Sequence, residues 1–119
     1  MRRAQSMAQE TGAAISVEEN PQSAVSGAEV LYTDVWVSMG EESKEDQKMK
    51  DFEGYQINDR LLNLATDGAL VMHCLPAHRD LEITDEIIEG PSSIVWQQGE
   101  NKMYGAAAIL DFLVPDVHH

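Results

Sequence analysis

A single cysteine, Cys74, is all the thiol that this 119-residue chain contains, so no intrachain disulfide can form and the fold must rest on burial. No apolar run reaches the roughly 20 residues that a membrane-spanning helix needs, and the longest, Tyr104 to Val114, is interrupted. The amino terminus has no apolar stretch of the secretory kind. A reducing, cytoplasmic setting is the expectation. Basic residues are scarce: 8 Lys+Arg face 21 Asp+Glu, a formal charge of -13. That balance opposes phosphate backbones and anionic headgroups, so neither nucleic acid nor a membrane is expected as a partner. The glycines at Gly90, Gly99 and Gly105 form neither a dinucleotide nor a triphosphate loop. His73, Cys74 and His78 lack an accompanying CxxC pair, and a fourth ligand would have to be invented, so no metal is expected.

What remains is an ordinary globular balance, 43% hydrophobic and 24% charged, long enough for one core and not for two domains. The acidity could draw in a cationic substrate, although acidic faces are commonly just solvated. Good helix formers from Arg2 to Glu10 stop at Thr11-Gly12. A strand is expected over Ala13 to Val17, then a short helix over Gln22 to Ser26 behind the cap Asn20 and Pro21. Val30 to Trp36 is β-branched and aromatic, too continuous for a sheet with one wet face, and predicts a buried parallel strand ending near Asp34. A charged connector spans Glu41 to Glu53, followed by an amphipathic helix around Tyr55 to Leu64 with the cap Asn58. A second buried strand, Ala69 to Met72, breaks at His73-Cys74-Leu75-Pro76. A short helix over Thr84 to Glu89 ends at Gly90-Pro91, a third strand is expected over Ser93 to Trp96, and a last helix over Glu100 to Leu113. Residues 115–119 read as a frayed tail.

Alternation of strand and helix predicts an α/β fold, a parallel sheet with flanking helices. Ligands of such sheets bind beyond the carboxyl ends of the strands. The unusual polar residues collect there: Asp34 and Ser38 after one strand, His73 and Cys74 after another, Glu100 and Asn101 after the third. Each has a plain structural role available. Asp34 can brace its loop, Cys74 can be an inert small hydrophobe, and Ser38-Met39-Gly40 can be a turn. Adjacency does not make His73 a base for Cys74, because neighbouring strand residues point to opposite faces.

The longer strings say more. Asp34-Val35-Trp36-Val37-Ser38-Met39-Gly40 resembles the D-x-W-x-S-M-G segment of ornithine carbamoyltransferases. His73-Cys74-Leu75-Pro76-Ala77-His78-Arg79 resembles their H-C-L-P-x-x-R segment, and Val95 to Lys102 resembles their closing E-N-R region. The likeness runs from about Arg2 to Val114. It implies a partial Rossmann-like sheet, with residues 1–114 an incomplete ornithine-binding domain. By resemblance, Asp34 and Ser38 hold the amino-acid end of ornithine, helped by the backbone of Met39. Cys74 and the backbone of Leu75 lie beside the reacting amine and the carbamoyl group, with Asp34 and Cys74 the catalytic pair, and Lys102 adds a cation to the substrate site. The family's reaction passes the carbamoyl group of carbamoyl phosphate to the side-chain amine of ornithine, giving citrulline and phosphate with no metal or organic cofactor. Such a site must present a neutral amine, whose free pKa is about 10, and stabilise an oxyanion. A carboxylate and a thiolate are expected to accept or orient the amine protons.

Two departures qualify the resemblance. The family's S-x-R-T phosphate loop and H-P-x-Q segment, which hold carbamoyl phosphate, do not occur here. The isolated chain is therefore expected to be inactive, needing a complementary amino-terminal half, with homo-oligomers also in view. Lys102 stands where the family has arginine, replacing a planar two-pronged donor by a point charge. Other readings are a sister carbamoyltransferase for another amine, and a non-catalytic module binding an amino acid or a partner subunit.

Overall fold

A computed structural model describes residues 2–38, 40, 43 and 45–114. The chain opens with α1, Arg2–Thr11, which Gly12 ends at φ +77°, a left-handed conformation that costs glycine little. Residues 13–20 then run without regular structure. The strand expected over Ala13 to Val17 does not form. Ile15 and Val17 are exposed, and β-propensity makes no strand without a partner to pair with. α2, Pro21–Val25, is started by Asn20, whose side chain accepts from Gln22 N at 2.9 Å with proline in the first turn.

β1, Val30–Thr33, and β2, Leu70–His73, form a two-stranded parallel sheet in the register Val30↔Leu70 to Thr33↔His73. Alternation decides which side chains enter the core. Leu31, Val71 and His73 are buried, whereas Val30, Tyr32 and Leu70 are exposed. The expectation that both strands are buried throughout is thus corrected: the core covers one face. The core joins Leu31 and Val71 to Ile57, Leu61, Ala69, Ile83, Ile87, Ile88 and Val95.

Between the strands lie α3, Glu45–Asp51, and α4, Asp59–Leu62. The charged connector thus contains a helix, one that buries nothing and is laced by Gln47 Nε2 donating to Asp51 at 2.7 Å. Asn58 caps α4, accepting from Leu61 N at 3.0 Å, and the helix is only one turn long. After β2 comes α5, Asp85–Ile88, closed at Gly90, where a Cβ would lie 2.6 Å from the Glu86 carbonyl.

The third strand also fails to form. Only Ser93 bridges Val71, through Val71 N to Ser92 O at 2.8 Å and Ile94 N to Val71 O at 3.0 Å. Val95 and Trp96 instead open α6, Val95–Leu113. Good helix formers such as Gln97, Gln98, Glu100, Lys102, Met103 and Ala106 to Ala108 outweigh both the two strand-favouring residues before them and the glycines among them. Val95 is fully buried at the root of this helix, while every residue from Glu100 to Leu113 is exposed. The tail 115–119 lies outside the described residues. Among the described residues, no helix is long and apolar enough to cross a membrane.

Candidate functional site

In-register parallel pairing of Thr33 with His73 puts the next residues of the two strands, Asp34 and Cys74, side by side at the carboxyl end of the sheet. The Cys74 thiol donates to Asp34 Oδ1 at 2.8 Å, and Val35 N donates to the same oxygen at 2.7 Å. The thiol hydrogen bond, followed by the one from Val35, holds the Asp34 carboxyl below its ordinary range. Desolvation, and then the bond to Asp34, pushes the Cys74 thiol up from its ordinary value. The pair at neutral pH is thus a carboxylate and a thiol. The expected thiolate is corrected: an anion 2.8 Å away disfavours a second one.

Lys102 reaches back from α6 and its ammonium donates to the Cys74 carbonyl. α6 contributes a second tie through Gln98. Its Oε1 accepts from His73 N at 3.1 Å and its Nε2 donates to the Tyr32 hydroxyl at 2.9 Å, joining β1, β2 and α6 through one amide. Glu100 and Asn101, expected at a third strand end, are instead exposed on α6, where Glu100 accepts from Tyr104 OH at 3.0 Å.

Leu75 follows Cys74 with φ 53°, a left-handed conformation that leucine rarely adopts, and precedes a cis bond to Pro76. The Leu75 N–H donates to His73 Nδ1 at 2.8 Å. His73 is wholly buried, and its Nε2 lies 3.1 Å from Oε1 of Glu82, also wholly buried. Since Nδ1 accepts, the ring proton is on Nε2 and is donated to Glu82. His78 N donates to the same oxygen at 2.6 Å. Arg79 is engaged by Asp85 of α5 and by Glu89, the residue that follows the helix. It is not part of the strand-end cluster.

Asp34, Cys74, Leu75 and Lys102 are thus brought together. Ser38 is exposed on the loop after Asp34 and makes none of these contacts, and Met39 lies outside the described residues. That loop is braced by Trp36 stacked on Phe52, centroids 5.8 Å apart, and Phe52 meets Tyr55 edge-on at 6.2 Å. A cavity of about 470 Å³ is lined by every residue from Val30 to Trp36, so it runs along the edge of β1. It touches Asp34 but neither Cys74 nor Lys102. Sequence reasoning missed Glu82 and Gln98. A carboxylate set between Leu81 and Ile83 was the available sign for the first, and for the second nothing marked which face of α6 meets the sheet.

Residues 1–113 match the family model described as aspartate/ornithine carbamoyltransferase, Asp/Orn binding domain. The chain is 51% identical over 111 residues to an ornithine carbamoyltransferase of Hyperthermus butylicus, covering 93% of this chain and 35% of that protein. Among solved structures, an anabolic ornithine carbamoyltransferase from Campylobacter jejuni superposes with TM-score 0.86 at 37% identity, covering 92% of this chain and 36% of the other. One from Gloeobacter violaceus does so with TM-score 0.79 at 45% identity, covering 92% and 35%. The chain spans about a third of the length of the relatives it matches.

Proposed function

We propose, of a chain that belongs to the aspartate/ornithine carbamoyltransferase family through its Asp/Orn-binding domain, that its strand-end cluster is the ornithine side of a carbamoyl-transfer site. The reaction is attack by the side-chain amine of ornithine on the carbonyl carbon of carbamoyl phosphate. A C–N bond forms, the bond from that carbon to the phosphate oxygen breaks, and citrulline, phosphate and one proton result.

The observation that carries this reading is the Cys74 thiol donating to the Asp34 carboxylate at 2.8 Å, beside the Lys102 ammonium on the Cys74 carbonyl. A carboxylate held ionised is suited to receive a cationic group of ornithine, in keeping with its assignment to the amino-acid end. The thiol is a neutral donor able to turn toward a developing oxyanion once the amine replaces it at Asp34. The Leu75 N–H is occupied by His73, which leaves the Leu75 carbonyl as the backbone group offered to the carbamoyl nitrogen. Ser38, on the loop beyond Asp34, is assigned to the α-amino and carboxylate end of the substrate. Residues 1–114 act as the ornithine-binding part, and carbamoyl phosphate is held by a complementary amino-terminal half. A cytoplasmic location fits a lone cysteine kept as a thiol.

The test is citrulline formation from ornithine and carbamoyl phosphate by the purified chain, alone and with a separately expressed amino-terminal carbamoyltransferase half. No turnover alone and turnover with the added half is the expected result. Turnover by the chain alone would overturn the division of labour, and silence in both arms would sink the assignment of the cluster as a working ornithine site.

A further inference from the structure

We infer that Glu82 is a positioning residue of the strand-end site, fixing through one carboxylate oxygen both the tautomer of His73 and the course of the 73–78 turn that presents Cys74 and Leu75. Its functional meaning rests on the carbamoyl-transfer reading, but its structural content does not.

Glu82 is wholly buried next to the wholly buried Ile83, and its backbone carbonyl accepts from Ile57 N at 2.9 Å. An acid in such surroundings is costly, and an apolar side chain of similar size would serve packing better. What the carboxylate supplies is acceptor capacity on one side only. Oε1 takes the His73 Nε2–H at 3.1 Å and the His78 N–H at 2.6 Å, and Oε2 meets no donor among the described residues. The two ends of the turn, His73 and His78, are therefore drawn to a single atom.

The imidazole carries the constraint onward. Leu75 N–H points at Nδ1 from 2.8 Å, so Nδ1 must be bare and the proton must reside on Nε2. Without an acceptor at Glu82, the Nε2–H is stranded in the core. In the other neutral tautomer, two N–H groups confront each other across the Leu75 contact. Either way residues 73–75 must shift, and Leu75, held at φ 53°, has a more relaxed backbone conformation to move to. Cys74 lies between these two anchors, so its 2.8 Å bond to Asp34 depends on them.

The test uses the full chain with 15N-labelled histidine and two substitutions. Glu82→Gln keeps a carbonyl acceptor, and Glu82→Leu keeps the volume without one. The expected result is a single Nε2–H tautomer of His73 in the unaltered chain and in Glu82→Gln, and its loss in Glu82→Leu. Alkylation of Cys74 by iodoacetamide at pH 8 should rise about three- to tenfold in Glu82→Leu, as the thiol leaves Asp34 and loses the part of its upward shift that this contact supplies, and stay within about twofold in Glu82→Gln. An unchanged tautomer and alkylation rate in Glu82→Leu would overturn the inference. Should Glu82→Leu not fold, Glu82→Gln decides alone: loss of the tautomer there would overturn it, and retention supports it. Ornithine titrated into the unaltered chain is read separately. A locked tautomer with no ornithine-dependent shift sinks the substrate reading while supporting the role of Glu82.

Discussion

The two strand ends that make the site are built on opposite plans. On the β2 side the backbone at the strand end is pinned by side chains, two of them wholly buried and Gln98 half-buried: His73 holds Leu75 N–H, Glu82 holds His78 N–H, and Gln98 holds His73 N–H. On the β1 side Asp34 is exposed and holds its own neighbour Val35, and the following loop leans on an aromatic stack. The first half is fixed by the core and is in place before any ligand arrives. The second has fewer ties to the core: Asp34 is held by Val35 N and the Cys74 thiol, and the loop by its aromatic stack. Preorganisation therefore resides with Cys74 and Leu75, while Asp34 to Ser38 are the less anchored half.

The comparison breaks most severely if the core under the β2 side is hollowed. Ile83 is wholly buried and its carbonyl accepts from Asp80 N at 2.8 Å. Ile83→Ala should cost about 2–5 kcal/mol of stability in urea unfolding, with the environment of Cys74 perturbed before global unfolding. A smaller loss with an unchanged Cys74 would mean that the β2 side is not anchored by the core. Next in size is Asp34→Asn, which acts on the less anchored side. Ornithine binding should weaken by about tenfold or more, and Cys74 alkylation at pH 8 should quicken by up to about tenfold as its pKa falls back. Unfolding should barely change, because Asp34 is exposed.

The pH dependence sharpens the same contrast. Asp34 has a folded pKa below its unfolded one, so its contribution to stability is present above the unfolded carboxylate range and is lost as pH falls through the lowered value. A carbon-detected titration of Asp34 should accordingly place its midpoint below the ordinary aspartate value, and a midpoint at or above that value would refute the hydrogen-bonded pair. The smallest effect belongs to the brace. Phe52→Leu removes the stacking partner of Trp36 and should cost about 0.5–1.5 kcal/mol, seen chiefly as a shift in tryptophan emission. A cost as large as that at Ile83 would show that the β1 side is no looser than the β2 side.

What could be read from the sequence follows the same division between local and distant causes. Asn20 and Asn58 announce α2 and α4 because a cap acts within three residues. The Asp34 and Cys74 motifs were visible as strings, and parallel pairing of two apolar runs suffices to place them together. Strands at Ala13 to Val17 and Ser93 to Trp96 were not safely legible, because a strand exists only with a neighbour to pair with. The state of Cys74 was misread as a thiolate for a related reason. Its pKa depends on a contact 40 residues away in sequence, and so does its ability to donate. Glu82 is nine residues from His73, and only the fold reveals that both turn their polar atoms inward.

The emergence of α6 from the core has a mechanical consequence. The helix is held at its root by Val95, Gln98 and the Lys102 bond to the Cys74 carbonyl, and its outer turns as far as Leu113 are exposed, so it behaves as a cantilever with Lys102 near its support. Lys102 stands seven residues along, about 10 Å at 1.5 Å per residue, so a tilt of about 5° at the root displaces it by about 1 Å. Any load on the outer turns is thus delivered to the ammonium at the Cys74 carbonyl.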